Sequence, residues 1–80
     1  MSRIQECLSV FAVSAMVNNA TSIERAECAI DAYLEGRDEE SSLPALRELQ
    51  DAYQHMNLDS TVANEIREQI VARIVRLAGQ

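Results

Sequence analysis

Apolar residues recur at helical spacing along almost the whole chain, in four blocks separated by short polar breaks. In the first block Ile4, Leu8, Phe11, Ala12 and Ala15 form one stripe, and Val10, Val13 and Val17 form a second beside it. The pattern predicts a helix from about Ser2 to Val17. Nine of the eleven residues from Cys7 to Val17 are apolar. A surface helix needs a single apolar stripe, whereas a helix apolar nearly all round is buried on several sides. Three partner helices in so short a chain would barely cover it. Self-association through Leu8, Val10, Phe11, Val13 and Val17 is therefore expected.

Asn18-Asn19 ends this block, since both residues favour turns and tolerate left-handed backbone. Thr21 then opens a second helix with Glu24 three residues on, the spacing of a capping box. Gly36 supplies the left-handed residue past its end, so a helix is predicted over 22–35. Residues 37–42 read as a polar loop. Ser42 caps a third helix that accepts Pro44 in its first turn and carries Leu43, Leu46, Leu49, Tyr53 and Met56 as far as about Met56. Residues 57–60 form the next break, and Asp59 or Ser60 caps a last helix from about Ser60 to Ala78. Its stripe is Val62, Ile66, Ile70, Ile74 and Leu77, widened by Ala63, Val71 and Val75. Arg73 and Arg76 in its final turns complement the helix dipole, and Gly79 ends it. Four helices on short loops predict an all-α fold: a small four-helix bundle or paired helical hairpins, expected to be a homodimer.

Composition narrows this further. Two Gly and one Pro argue against a sheet protein with many tight turns. Eighty residues make a single α-helical domain over 1–80, one whose stability is thin without added help. With no Trp and 4% aromatic residues, the core must be aliphatic. Cys7 and Cys28 form no metal or redox spacing, and a reducing, cytoplasmic setting is expected. The apolar run Cys7–Val17 is about half the ~20 residues needed to cross a bilayer. It has the length of a signal peptide, with Arg3 before it and Val13-Ser14-Ala15 as a cleavage site. Glu6 at its start and Ser9 and Ser14 within it weigh against secretion.

Charge supplies the most specific signal. The formal balance is −6, and all seven cations are Arg. Direct nucleic-acid binding needs a net basic footprint and is not expected; a basic protein partner is. Residues 21–40 carry seven acids against two arginines. Glu24, Glu27, Asp31 and Glu35 fall at helical spacing with Asp38 one step further, opposite Ile23, Ala26, Ile30, Tyr33 and Leu34. Like charges one turn apart cost a helix about 0.2–0.5 kcal/mol per pair, so the ridge asks for a reason. A solvated face that keeps a marginal protein dissolved is one reason. A docking surface is the other, because carboxylates i and i+4 stand ~6 Å apart along the axis, close to the phosphate spacing of a nucleic-acid strand. Such a ridge would compete for an Arg- and Lys-lined groove. The expected role is an adaptor or inhibitor, one version being a phage-encoded counter-defence protein that blocks a nucleic-acid-handling complex.

Catalysis has little to stand on. His55 is the only histidine, late in the third helix, and no phosphate loop, zinc-protease or calcium-loop pattern is present. No enzymatic activity, cofactor or metal is expected. Cys7 reads as a small core residue. Cys28 lies at the edge of the acidic ridge, where neighbouring carboxylates make a thiol a poor nucleophile. Tyr33 and Tyr53 read as core residues whose hydroxyls reach the rim. Arg67, Arg73 and Arg76 support a rival reading, a small dimeric DNA-binding regulator using the last helix. Pro44-Ala45-Leu46, Leu49-Gln50, Ile70 and Ile74 support another: they resemble the second helix of type III secretion needle subunits, over about half the chain. That resemblance implies a self-assembling structural subunit. The first half departs from it, since needle subunits begin with a polar, flexible arm.

Overall fold

A computed structural model describes residues 2–79, which form four helices: α1 Arg3–Val17, α2 Ala20–Leu34, α3 Glu39–Gln54 and α4 Thr61–Ala78. No strand occurs among the described residues. Each helix opens on a side chain that accepts the amide three residues on: Ser2 from Gln5, Asn19 from Ser22, Asp38 from Ser41 and Ser60 from Ala63. Each such bond satisfies an amide that the helix itself leaves unpaired.

Two of these starts differ from the sequence expectation. Asn18 adopts left-handed backbone (φ 56°) and brings Asn19 to the cap position, so α2 begins at Ala20 and Thr21 forms no capping box. Asn outranks Thr as a cap, and here it comes first. The third helix begins at Glu39 rather than after Ser42, because Asp38 caps it. Glu39 and Glu40 thereby enter the first turn, where the helix dipole favours carboxylates. Ser42 is buried and its hydroxyl donates to the Asp38 carbonyl at 2.8 Å. Pro44 falls in the second turn, where its missing N–H leaves the carbonyl of exposed Glu40 to water. The helix stops at Gln54, short of Met56, with His55 as its C-cap and Asn57 left-handed (φ 51°). Gly36, at φ 80°, is the left-handed residue after α2.

The four helices pack as two hairpins. Arg3 Nη1 donates to the Glu35 carbonyl at 2.7 Å and the Cys7 thiol lies 3.7 Å from the Ala29 carbonyl, so α1 and α2 run antiparallel. The Tyr53 hydroxyl donates to the Ala63 carbonyl at 3.0 Å, joining α3 to α4. At one end of the molecule Asn18 Oδ1 accepts the Val62 amide at 3.0 Å; at the other, Arg73 meets Asp31 at 3.2 Å. Helix α4 therefore runs beside α2 in the same direction. Phe11, Ile30, Leu46, Leu49, Tyr53, Ile66 and Ile70 fill one core shared by all four helices. The Phe11 and Tyr53 rings meet edge to face, centroids 5.2 Å apart, a contact worth about 0.5–1.5 kcal/mol beyond its burial. Neither tyrosine hydroxyl reaches the rim as the sequence suggested: that of Tyr33 is also buried, on the Ala45 carbonyl at 3.1 Å.

The expected self-association set is divided by this packing. Phe11 is wholly buried in the protomer's own core and Leu8 packs against that core, so Phe11 is not part of an outer face. Val13 and Val17 are exposed and Val10 is half-buried.

Asn18 serves both hairpins, and its substitution separates two effects. Asn18→Ala should cost about 2 kcal/mol, from the lost α4 amide acceptor and a Cβ residue in left-handed backbone. Asn18→Gly should cost only about 1 kcal/mol, since glycine accepts that backbone freely. Urea denaturation measures both; equal losses would show that backbone conformation plays no part.

Candidate functional site

Helix α2 turns Ala26, Ile30 and Tyr33 inward, with Ile23 and Leu34 packed partly against the same core. Asp31 reaches α4 through Arg73, with Glu27 one turn before it, whereas Glu24 lines the recess between α1 and α2. Glu24 and Asp31 are exposed and Glu27 is half-buried. The ridge is shorter than the sequence suggested. Asp31 accepts from Arg73 Nη2 at 3.2 Å, so one of its carboxylates is tied to the same chain. Glu35 has left the helix (φ −56°, ψ 131°) and its carbonyl holds Arg3. Asp38 caps α3, and its bond from the Ser41 amide at 2.8 Å holds its carboxyl below the ordinary aspartate range. Among the described residues the carboxylates of Glu24, Glu27 and Glu35 form no ion pair.

The arginines explain why. Arg3 donates to the Glu35 carbonyl, and Arg37 donates to the Tyr33 carbonyl at 3.2 Å while lying over the Tyr33 ring. Arg67 donates to the Leu58 carbonyl and to Asn64 and stacks over Tyr53. Arg73 adds Gln69 to its contact with Asp31. Four of seven cations thus hold backbone or neutral groups in place, and the Asp31–Arg73 contact is the one ion pair among the described residues. A planar fork of donors suits Arg to such carbonyl sites. Of the three arginines of the DNA-binding alternative, Arg67 and Arg73 are engaged within the fold and Arg76 is exposed.

The remaining candidates separate cleanly. His55 is exposed, with Nδ1 2.7 Å from the Asp51 carbonyl of its own last turn. Cys7 is buried, and burial pushes its thiol up to about 12. Cys28 is exposed on α2. Among the described residues no group of three His, Cys, Asp or Glu side chains is placed to hold a metal, and no helix is long and apolar enough to cross a membrane.

A second surface emerges on α1. Met16 is 83% exposed, Val13 54% and Val17 53%. Beside them runs a shallow groove between α1 and α2, about 540 Å³ in volume, lined by Val10, Thr21, Glu24, Arg25, Cys28 and Ala29. Nothing in the sequence singled out Met16 or Arg25. In a helix apolar on nearly every side, spacing alone does not say which side faces water.

No family model matches the chain, and no curated protein or solved structure is significantly similar to it.

The two thiols should behave oppositely. At low protein concentration and pH 8, a thiol reagent should modify Cys28 rapidly and Cys7 only on unfolding; equal rates would contradict the burial of Cys7. Folding disfavours the Cys7 thiolate, so its contribution to stability is complete below the unfolded thiol's 9.0 and is lost as pH rises through about 12. Urea midpoints should fall over that range, and less steeply in Cys7→Ala.

Proposed function

We propose that the protein is a non-enzymatic binding module, an adaptor or inhibitor that presents the carboxylates along α2 to a basic surface of another protein. The observation that carries this reading is the disposition of charge. Four of the seven arginines are turned to carbonyls and rings of the fold, while among the described residues the carboxylates of Glu24, Glu27 and Glu35 form no ion pair. The acidic field is therefore not cancelled internally and is available to speed encounter with a positive partner. A groove that ordinarily takes a nucleic-acid strand fits this description, and occupying it would inhibit by competition. Two free thiols suit a reducing compartment such as the cytoplasm. The module is proposed to act as a homodimer, which doubles the acidic edges offered to one target and raises avidity.

One observation favours a second reading, that of a self-assembling helical subunit. Val71 and Val75 are exposed on α4, 43% and 63%, giving a second apolar patch apart from that on α1. Two unlike patches on one protomer permit open, head-to-tail assembly. Light scattering separates the readings, because a filament former gains mass continuously with concentration and a closed assembly does not.

Charge removal tests the main reading. Proteins captured from a native lysate should be lost, most visibly at low salt, when Glu24, Glu27 and Glu35 are all changed to Gln. The control Glu48→Gln, Asp51→Asn, Glu68→Gln removes equal charge from exposed positions elsewhere and should retain capture. Equal loss in both triple variants would reduce the α2 acids to a share of the net charge.

A further inference from the structure

We infer that two copies of this chain pair through one closed, two-fold contact made by the outer face of α1 and the groove between α1 and α2. The inference names the partner surface of the homodimer proposed above and rests on that part of the reading alone. Three features of the surface lead to a second copy rather than to another occupant.

The first is charge. The chain carries −6, so two copies repel wherever their acids approach. From Cys7 to Ile23, seventeen consecutive residues carry no charge at all. These residues form most of α1 and the start of α2, so they mark the face where a second copy can come close. The carboxylates of Glu27 and Asp31 lie on the other flank of α2, toward α4. The groove carries one carboxylate, Glu24, with Arg25 beside it, so it offers a basic partner no net negative charge.

The second feature is shape. Val13, Met16 and Val17 project from α1, and the groove beside them has an apolar floor of Val10, Cys28 and Ala29. A continuation of that groove along α1 is lined by Ser9, Val10, Val13, Ser14 and Arg25. Val13 belongs to both, projecting from α1 and lining the continuation of the groove, and Met16 and Val17 stand one turn further along α1. A two-fold operator therefore seats each copy's Met16 side in the other's groove and makes every contact twice.

The third feature is Arg25. It lines both parts of the groove and, like Arg47 and Arg76 but unlike Arg3, Arg37, Arg67 and Arg73, makes no hydrogen bond or ion pair among the described residues. Glu24 stands next to it on the same rim. Across a two-fold contact, Arg25 of one copy meets Glu24 of the other, and the reverse. A weak dimer, of about micromolar affinity, is expected.

Sedimentation equilibrium of the full chain over a wide concentration range is the test. Mass should rise from 8.9 kDa and level off at twice that value. Met16→Asp and Val13→Asp should each weaken pairing about tenfold or more, since a carboxylate would be trapped in an apolar contact. Both positions face water in the protomer, so the helical circular dichroism should not change. Arg25→Glu should weaken pairing, and Arg25→Glu with Glu24→Arg should restore part of it. Val75→Asp, on α4, should leave the dimer intact. A measurement on the unaltered chain stands beside these: modification of Cys28 should slow as protein concentration rises into the dimer range. Monomer at every concentration, mass that never levels off, indifference to Met16→Asp, or dissociation by Val75→Asp alone would each overturn the inference. Capture of the basic partner is scored separately with Glu27→Gln, Glu35→Gln, which leaves Glu24 and the groove unaltered: loss of capture with mass still levelling off at the dimer, or loss of the dimer with some capture kept, identifies which reading fails. Failure of the pairing and failure of the acidic-edge reading are thus told apart.

Discussion

Tyr53 is gripped from three directions, and the arrangement of the helices follows from that grip. Phe11 of α1 meets its ring edge-on, Arg67 of α4 lies 5.5 Å over its face, and its hydroxyl donates to the Ala63 carbonyl. A core with so few aromatic residues has little large surface to bury, so the position of each ring weighs heavily. A buried hydroxyl without a partner would cost roughly 1–3 kcal/mol. That penalty holds α4 at one height against α3. Tyr33 does the same between α2 and α3 through Ala45. Aliphatic packing supplies the bulk of the driving force, while the two tyrosines select one register from several that would bury similar area.

The arginines follow a related logic with the opposite consequence for the surface. Carbonyls at helix ends lack an intrahelical donor. Arg3 and Arg37 serve carbonyls at the end of α2, and Arg67 serves the Leu58 carbonyl in the turn before α4. A small domain gains fixed loops in this way, but each cation so placed is withdrawn from the acids outside. The negative exterior is thus partly a result of how the interior and the turns are held.

Periodicity made the fold legible where a helix has one wet side. Ile30, Leu46, Leu49, Ile66 and Ile70 all lie on stripes readable from spacing, and all are buried. It failed where a helix is apolar on every side: Phe11 and Met16 have similar neighbours in sequence, yet one is at the centre of the core and the other in water. Helix starts were misplaced where several capping residues stand in a row. Asn19 preceded Thr21, and Asp38 preceded Ser42, whose attraction was strengthened by Pro44 two residues on. The spacing of the α2 acids was readable, but not the fate of Asp31, because Arg73 lies 42 residues away. Nor does spacing show that a helix ends before Glu35.

Asn18 binds the two halves of the molecule into one folding unit. Its backbone closes the first hairpin, while its side chain completes the second by accepting the Val62 amide. The loop of one hairpin therefore reaches its native hydrogen bonding only when the other is docked beside it. A chain severed between the hairpins would leave each piece with half of the core that Phe11, Ile30, Leu46 and Ile66 now share.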